Sequence, residues 1–148
     1  MSDDLIDLDA TGLAEVIAGG EVSPAEVIEA TIERIDRVDG QLNAVIHRMD
    51  DKARAEAASD LPDGPFRGVP MLLKDLWPSS AGDPFHLGVK GLAGAGYCHP
   101  DDSNITKAYR RAGFVMVGRT NTPELGLVAT TEPEAHGPTR NPWNTDHV

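Results

Sequence analysis

Two short segments of the chain, residues 69–73 (Val-Pro-Met-Leu-Leu) and 114–117 (Phe-Val-Met-Val), are apolar at every position. Strands that do not alternate are buried on both faces, so each needs sheet neighbours and a covering layer on either side. Gly68 and Pro70 favour a strand over a helix for the first run. Two strands cannot supply all that cover within 148 residues, so the chain on its own is expected to leave apolar surface and strand edges exposed.

What surrounds these runs reads as helix. Leu13, Val16 and Ile17 share one helical face, with Thr11 or Asp9 to cap the start and Gly19-Gly20 to stop it. Ser23-Pro24-Ala25-Glu26 has the spacing of a reciprocal cap, with proline at the first helical position, where its missing donor costs nothing. Val27, Ile28, Thr31, Ile32, Ile35 and Val38 follow as a stripe, and Gly40 is the expected end. A third helix is predicted over residues 50–59, with Ala53, Ala57 and Ala58 allowing close packing. After a glycine-rich loop (Gly82, Gly88, Gly91, Gly94, Gly96), Asp102 or Ser103 can cap a helix bearing Ile105, Ala108, Tyr109 and Ala112, closed by Gly113. Thr122-Pro123-Glu124 starts another, short one. Three helices, then strand, loop, helix and strand make an α/β layout.

Charge divides the chain. The net charge is −11, and residues 1–60 carry 15 acids against 5 bases, whereas residues 61–148 carry 9 against 8. Residues 1–60 thus read as an acidic helical region and residues 61–148 as a neutral α/β part. Such a balance repels phosphates, so no nucleic-acid partner is expected. No apolar run is long enough to cross a bilayer, and the acidic start is unlike a basic signal-peptide n-region. One cysteine, Cys98, permits no internal disulfide and no cysteine-based zinc site, which fits a reducing, cytoplasmic setting.

Lys74 is the leading candidate for chemistry. It ends an apolar run, where partial desolvation would bring a lysine toward general-base behaviour; the competing reading pairs it with Asp75 in solvent. The histidines (His47, His86, His99, His136, His147) show no pair at helical or hairpin spacing, so no metal site is expected. The glycine-rich loop does not match a phosphate-cradling pattern. Trp77 and Trp143 read as packing residues, and Cys98 as a plain loop thiol.

Longer motifs say more. Gly68-Val69-Pro70-Met71-Leu72-Leu73-Lys74-Asp75 resembles the strand bearing the catalytic lysine of the amidase signature family. Gly118-Arg119-Thr120-Asn121-Thr122-Pro123-Glu124 resembles its G-[KR]-T-N-x-x-E segment, and Gly137-Pro138-Thr139-Arg140-Asn141-Pro142-Trp143-Asn144 its G-x-T-x-N-P-W-[DN] segment. Gly20-Glu21-Val22-Ser23-Pro24-Ala25-Glu26, Arg34-Ile35 and Leu42-Asn43-Ala44 fit as well. Lys74-Asp75-Leu76 to Gly82-Asp83, Lys90-Gly91 and Thr130-Thr131-Glu132-Pro133-Glu134-Ala135 are most similar to aminohexanoate-cyclic-dimer hydrolases within the family.

The resemblance implies a mixed β-sheet core covered by helices, incomplete in this chain, with residues 61–148 forming the first α/β part. It implies hydrolysis of small linear or cyclic amides without a cofactor, through a serine nucleophile, a second serine in a cis peptide that relays the proton, and Lys74 as the base. Thr130 and Thr131 are the substrate-binding candidates. Family members are far longer, and their Gly-Gly-Ser-Ser-Gly-Gly block does not occur here; Ser79, Ser80 and Ser103 have no Gly-Gly context. The expectation is therefore the N-terminal third of an amidase, inactive alone; homodimerisation of the full-length protein is compatible with it. The rival readings are the amidotransferase component that amidates aminoacyl-tRNA and a non-catalytic association module.

Overall fold

The computed structural model describes residue 5 and residues 7–148. The first helix, α1 (Ala10–Ala18), is capped by Asp9, whose carboxylate accepts the N–H groups of Thr11 (3.0 Å) and Gly12 (2.9 Å). In α2 (Pro24–Leu42) the reciprocal cap is present. Ser23 Oγ accepts from the Glu26 N–H at 3.2 Å, and the Glu26 carboxylate accepts from the Ser23 N–H at 2.8 Å. Gly40 does not end this helix. The terminator is Asn43, in the left-handed conformation (φ 52°), with Asp39 Oδ1 accepting the N–H groups of Ala44 (2.8 Å) and Val45 (3.1 Å).

A strand not anticipated from sequence follows, β1 (Val45–Arg48), and then α3 (Asp50–Ala57), shorter than expected. Next come β2 (Pro70–Lys74), a short α4 (Lys90–Gly94) inside the glycine-rich loop, α5 (Asn104–Arg111) and β3 (Val115–Thr120). A single 3₁₀ turn spans Glu124–Gly126. Ser103 caps α5, accepting from the Thr106 N–H at 3.3 Å. Its buried residue is Thr106, while Ile105 faces outward at 46% exposure, so the expected stripe is shifted.

The sheet order is β1-β3-β2, with β1 antiparallel and β2 parallel to β3. As the non-alternating pattern implies, β3 is covered on both faces. Val115 and Val117 pack with Ile28, Ile32, Ile35, Ala53, Ala57 and Leu61, whereas Met116 packs with Met49 and Leu73. Gly118 is required by close approach: a Cβ there would lie 2.7 Å from the His47 carbonyl oxygen. Both strand pairings shift register near it. Trp77 (76% exposed) and Trp143 (93% exposed) are not packing residues here.

Candidate functional site at the polar end of the sheet

Lys74 is the last residue of β2, paired with Thr120 at the end of β3. Its side chain is exposed, contrary to the expected desolvation, and its neighbour is not its partner. Asp75 turns inward and is fully buried. The Asp75 N–H donates to the Thr120 carbonyl at 2.9 Å, and its carboxylate accepts the N–H groups of His86 (3.0 Å) and Gly88 (3.4 Å). Arg119, equally buried, lies 3.4 Å from that carboxylate through Nε. Its other nitrogens donate to the carbonyls of Pro78 and of Lys74 itself, both at 3.0 Å, and the guanidinium lies 5.0 Å from the Phe85 ring centroid. Burial pushes the guanidinium below its ordinary value, and Asp75 opposes that shift. A buried cation thus fixes the backbone that presents the exposed lysine.

The loop beyond β2 is tied down by a second polar network. Asp83 accepts from Lys52 Nζ at 2.7 and 2.8 Å and from the Ser80 hydroxyl. Arg110 bridges Asp102 (3.0 Å), Glu56 (3.3 Å) and Ser80 Oγ (2.9 Å). Beyond β3, Asn121 Nδ2 donates to the Gly137 carbonyl and to Thr139 Oγ1, both at 3.0 Å, and Thr139 Oγ1 donates to the Asn43 carbonyl at 2.8 Å. Asn121 and Thr139, both from the resemblance motifs, therefore clamp residues 137–139 onto the end of α2.

Thr130 is exposed and Thr131 half-buried; the Thr131 carbonyl accepts the Thr139 N–H at 2.8 Å. Both line a shallow cleft of about 400 Å³ with Arg140, Asn141 and Trp143, and Thr130 also borders a cleft of about 340 Å³ with Pro123 and Leu127. Lys74 lines neither of these two clefts. Lys90, on α4, forms an ion pair with Glu134 and so ties the glycine-rich loop to this segment.

A group that sequence spacing did not reveal is formed by His47, His86 and His136, from β1, the loop after β2 and the loop after β3. The His47 and His86 rings are edge-to-face at 4.6 Å, and those of His86 and His136 are stacked at 5.6 Å. His47 Nε2, both ring nitrogens of His86 and His136 Nε2 are buried with no hydrogen-bond partner among the described residues. Each such orphan costs about 1–3 kcal/mol. Burial holds the His47 imidazole down to about 4, with His86 adding to the shift, and burial likewise lowers His136. These residues are 39 and 50 positions apart, so only the pairing of strands could have shown them together.

The amidase family profile matches residues 26–148. The chain belongs to the amidase family. The 6-aminohexanoate-cyclic-dimer hydrolase of Paenarthrobacter ureafaciens is 50% identical over 136 residues, which are 92% of this chain and 27% of that protein. A glutamyl-tRNA(Gln) amidotransferase subunit from Thermobifida fusca (strain YX) is 39% identical over 152 residues, 98% of this chain and 30% of its own length. Among solved structures, a 6-aminohexanoate cyclic dimer hydrolase complexed with substrate superposes with a TM-score of 0.90 at 49% identity, covering 96% of this chain and 29% of that one. The chain thus spans under a third of the amidases it matches. Within the amidase fold, these residues supply helices and a small mixed sheet, and among those described no helix is long and apolar enough to cross a membrane.

Proposed function

We propose that this chain is the lysine-bearing portion of an amidase that hydrolyses small linear or cyclic carboxylic amides, with Lys74 as the general base of a serine, cis-serine and lysine mechanism. The observation that carries the reading is the joining of two motif segments at one point: the residue after Lys74 and the residue before Thr120 form the fully buried Asp75–Arg119 pair, and Arg119 holds the Lys74 carbonyl. Two buried opposite charges, bonded to each other and to the backbone of His86, Gly88, Pro78 and Lys74, are costly to assemble, which argues that the strand end they fix is used. The serine nucleophile and the relay serine are assigned to the part of an amidase that these 148 residues do not match. To act as a base, the exposed Lys74 ammonium must lose water contact, so substrate or further protein has to cover it. Alone, a positioned base contributes only about 10²–10⁴-fold, so the isolated chain is expected to show no amide turnover.

The higher identity to the cyclic-dimer hydrolase than to the amidotransferase component, 50% against 39%, favours direct hydrolysis. The test is a chimera in which this chain replaces the matching first 27% of the Paenarthrobacter ureafaciens hydrolase. It is expected to hydrolyse the 6-aminohexanoate cyclic dimer and to lose that activity in Lys74→Ala. A folded chimera that cleaves no amide contradicts the proposal. If the same replacement in the Thermobifida fusca protein instead supports only partner-dependent amidation, the amidotransferase reading holds.

A further inference from the structure

The lysine mechanism makes no use of the three clustered histidines. We propose that His47, His86 and His136 form a three-nitrogen binding site for a divalent transition metal ion of the zinc class.

The ring nitrogens are unsatisfied. A neutral imidazole has one donor and one acceptor nitrogen, and His86 is 7% exposed with neither partnered among the described residues. His47 and His136 each direct a further orphaned, buried Nε2 into the same group. Ring stacking holds the imidazoles together but leaves their lone pairs unused. The spacing also suits an ion. One ligand atom from each ring lies within 4.8 Å of the others. Metal–nitrogen bonds of about 2.0–2.1 Å place tetrahedral ligands about 3.4 Å apart, so side-chain rotation has to close at most about 1.4 Å.

Each histidine is mounted through its own backbone. His47 lies on β1 opposite Arg119, and the His86 N–H is bound by buried Asp75. The His136 carbonyl accepts from Asn43 Nδ2 at 2.8 Å. Sites built on fixed elements in this way are pre-organised for a ligand. The chemistry of the donors selects the ion. Imidazole suits zinc, copper, nickel and cobalt, while a site without a free carboxylate is poor for magnesium or calcium. Asp75 is not free, because Arg119 and two backbone amides use it. An ion here ties together β1 and the loops after β2 and β3, and leaves a fourth position for water or a ligand oxygen.

The test uses the untagged 148-residue chain after chelator treatment, titrated with Zn²⁺ and with Co²⁺. The expected result is one equivalent bound, a tetrahedral-type visible spectrum with Co²⁺, and Zn²⁺-dependent shifts of the ring nitrogens of His47, His86 and His136 by NMR. His86→Gln and His136→Gln should each weaken binding at least tenfold, while His99→Gln and His147→Gln leave it unchanged. Because a core variant can misfold, the NMR of the unaltered chain decides on its own. Shifts confined to His99 and His147, or less than a tenth of an equivalent bound, overturn the proposal.

Discussion

The two ends of β3 are equally buried and held by opposite means. Near its start, Val115, Met116 and Val117 are walled by hydrocarbon from α2, α3 and the neighbouring strands. Two residues later, Arg119 is just as deep, but its surroundings are a carboxylate, two carbonyls and an aromatic face. Hydrocarbon burial is non-directional, so the first end tolerates any well-shaped apolar replacement. Ion pairing is not, so the second end fails when either partner is lost.

Arg119→Met should therefore have the largest effect, about 3–5 kcal/mol of stability lost, because it strands the buried Asp75 charge. Urea unfolding with unchanged slope is the measurement; a loss under about 1 kcal/mol, the range of an exposed pair, would mean that the two charges do not hold this end of the strand. Gly118→Ala sits at the boundary between the two ends. It forces a Cβ within 2.7 Å of the His47 carbonyl and should cost about 1–3 kcal/mol, with β1 showing the largest amide-shift changes.

The histidine group adds a pH dependence to the polar end. His47 binds its proton more weakly in the folded chain, near 4, than its ordinary 6.5 when unfolded. The unfolded state therefore holds more protons between these values, so stability present above about 6.5 is lost as pH falls toward 4. In chelator-treated protein the urea midpoint should fall over that window, and His47→Gln should flatten the slope. The smallest effect is expected at the apolar end. Met116→Leu conserves volume and should cost less than about 1.5 kcal/mol, so a loss matching that of Arg119→Met would erase the contrast between the two ends.

What could be read from sequence follows the same division. The apolar end was legible because its information is local: Val27 to Ile35 repeat at helical spacing, Ser23 and Glu26 cap within one turn, and the unbroken run at 114–117 announces burial on both faces. The end of α2 is displaced from Gly40 because Asn43 is held in the left-handed conformation, stabilised by side-chain donation to the carbonyls of His136 and Pro138 some 93 and 95 residues away. β1 was not legible because its four residues carry too little pattern of their own and exist through pairing with β3. At the polar end, the sequence singled out Lys74 and offered Asp75 as its partner in solvent, while Arg119 carried no role of its own; which of the two neighbouring charges turns inward depends on that arginine from the other strand. The histidine group had no sequence signal at all, since three separate loops and strands bring it together.

If the buried Asp75–Arg119 pair exists to present Lys74 as a base, the most direct measurement is kcat/KM for an amide substrate as a function of pH in the chimeric amidase, comparing Lys74 with Lys74→Arg. Arginine keeps the positive charge and the strand end but does not deprotonate at usable pH. The expected result is an acid-side limb for the lysine enzyme and near-complete inactivity of the arginine variant at every pH, with folding stability unchanged. Retention of most of the activity by Lys74→Arg would contradict this role and make Lys74 a structural or electrostatic cation.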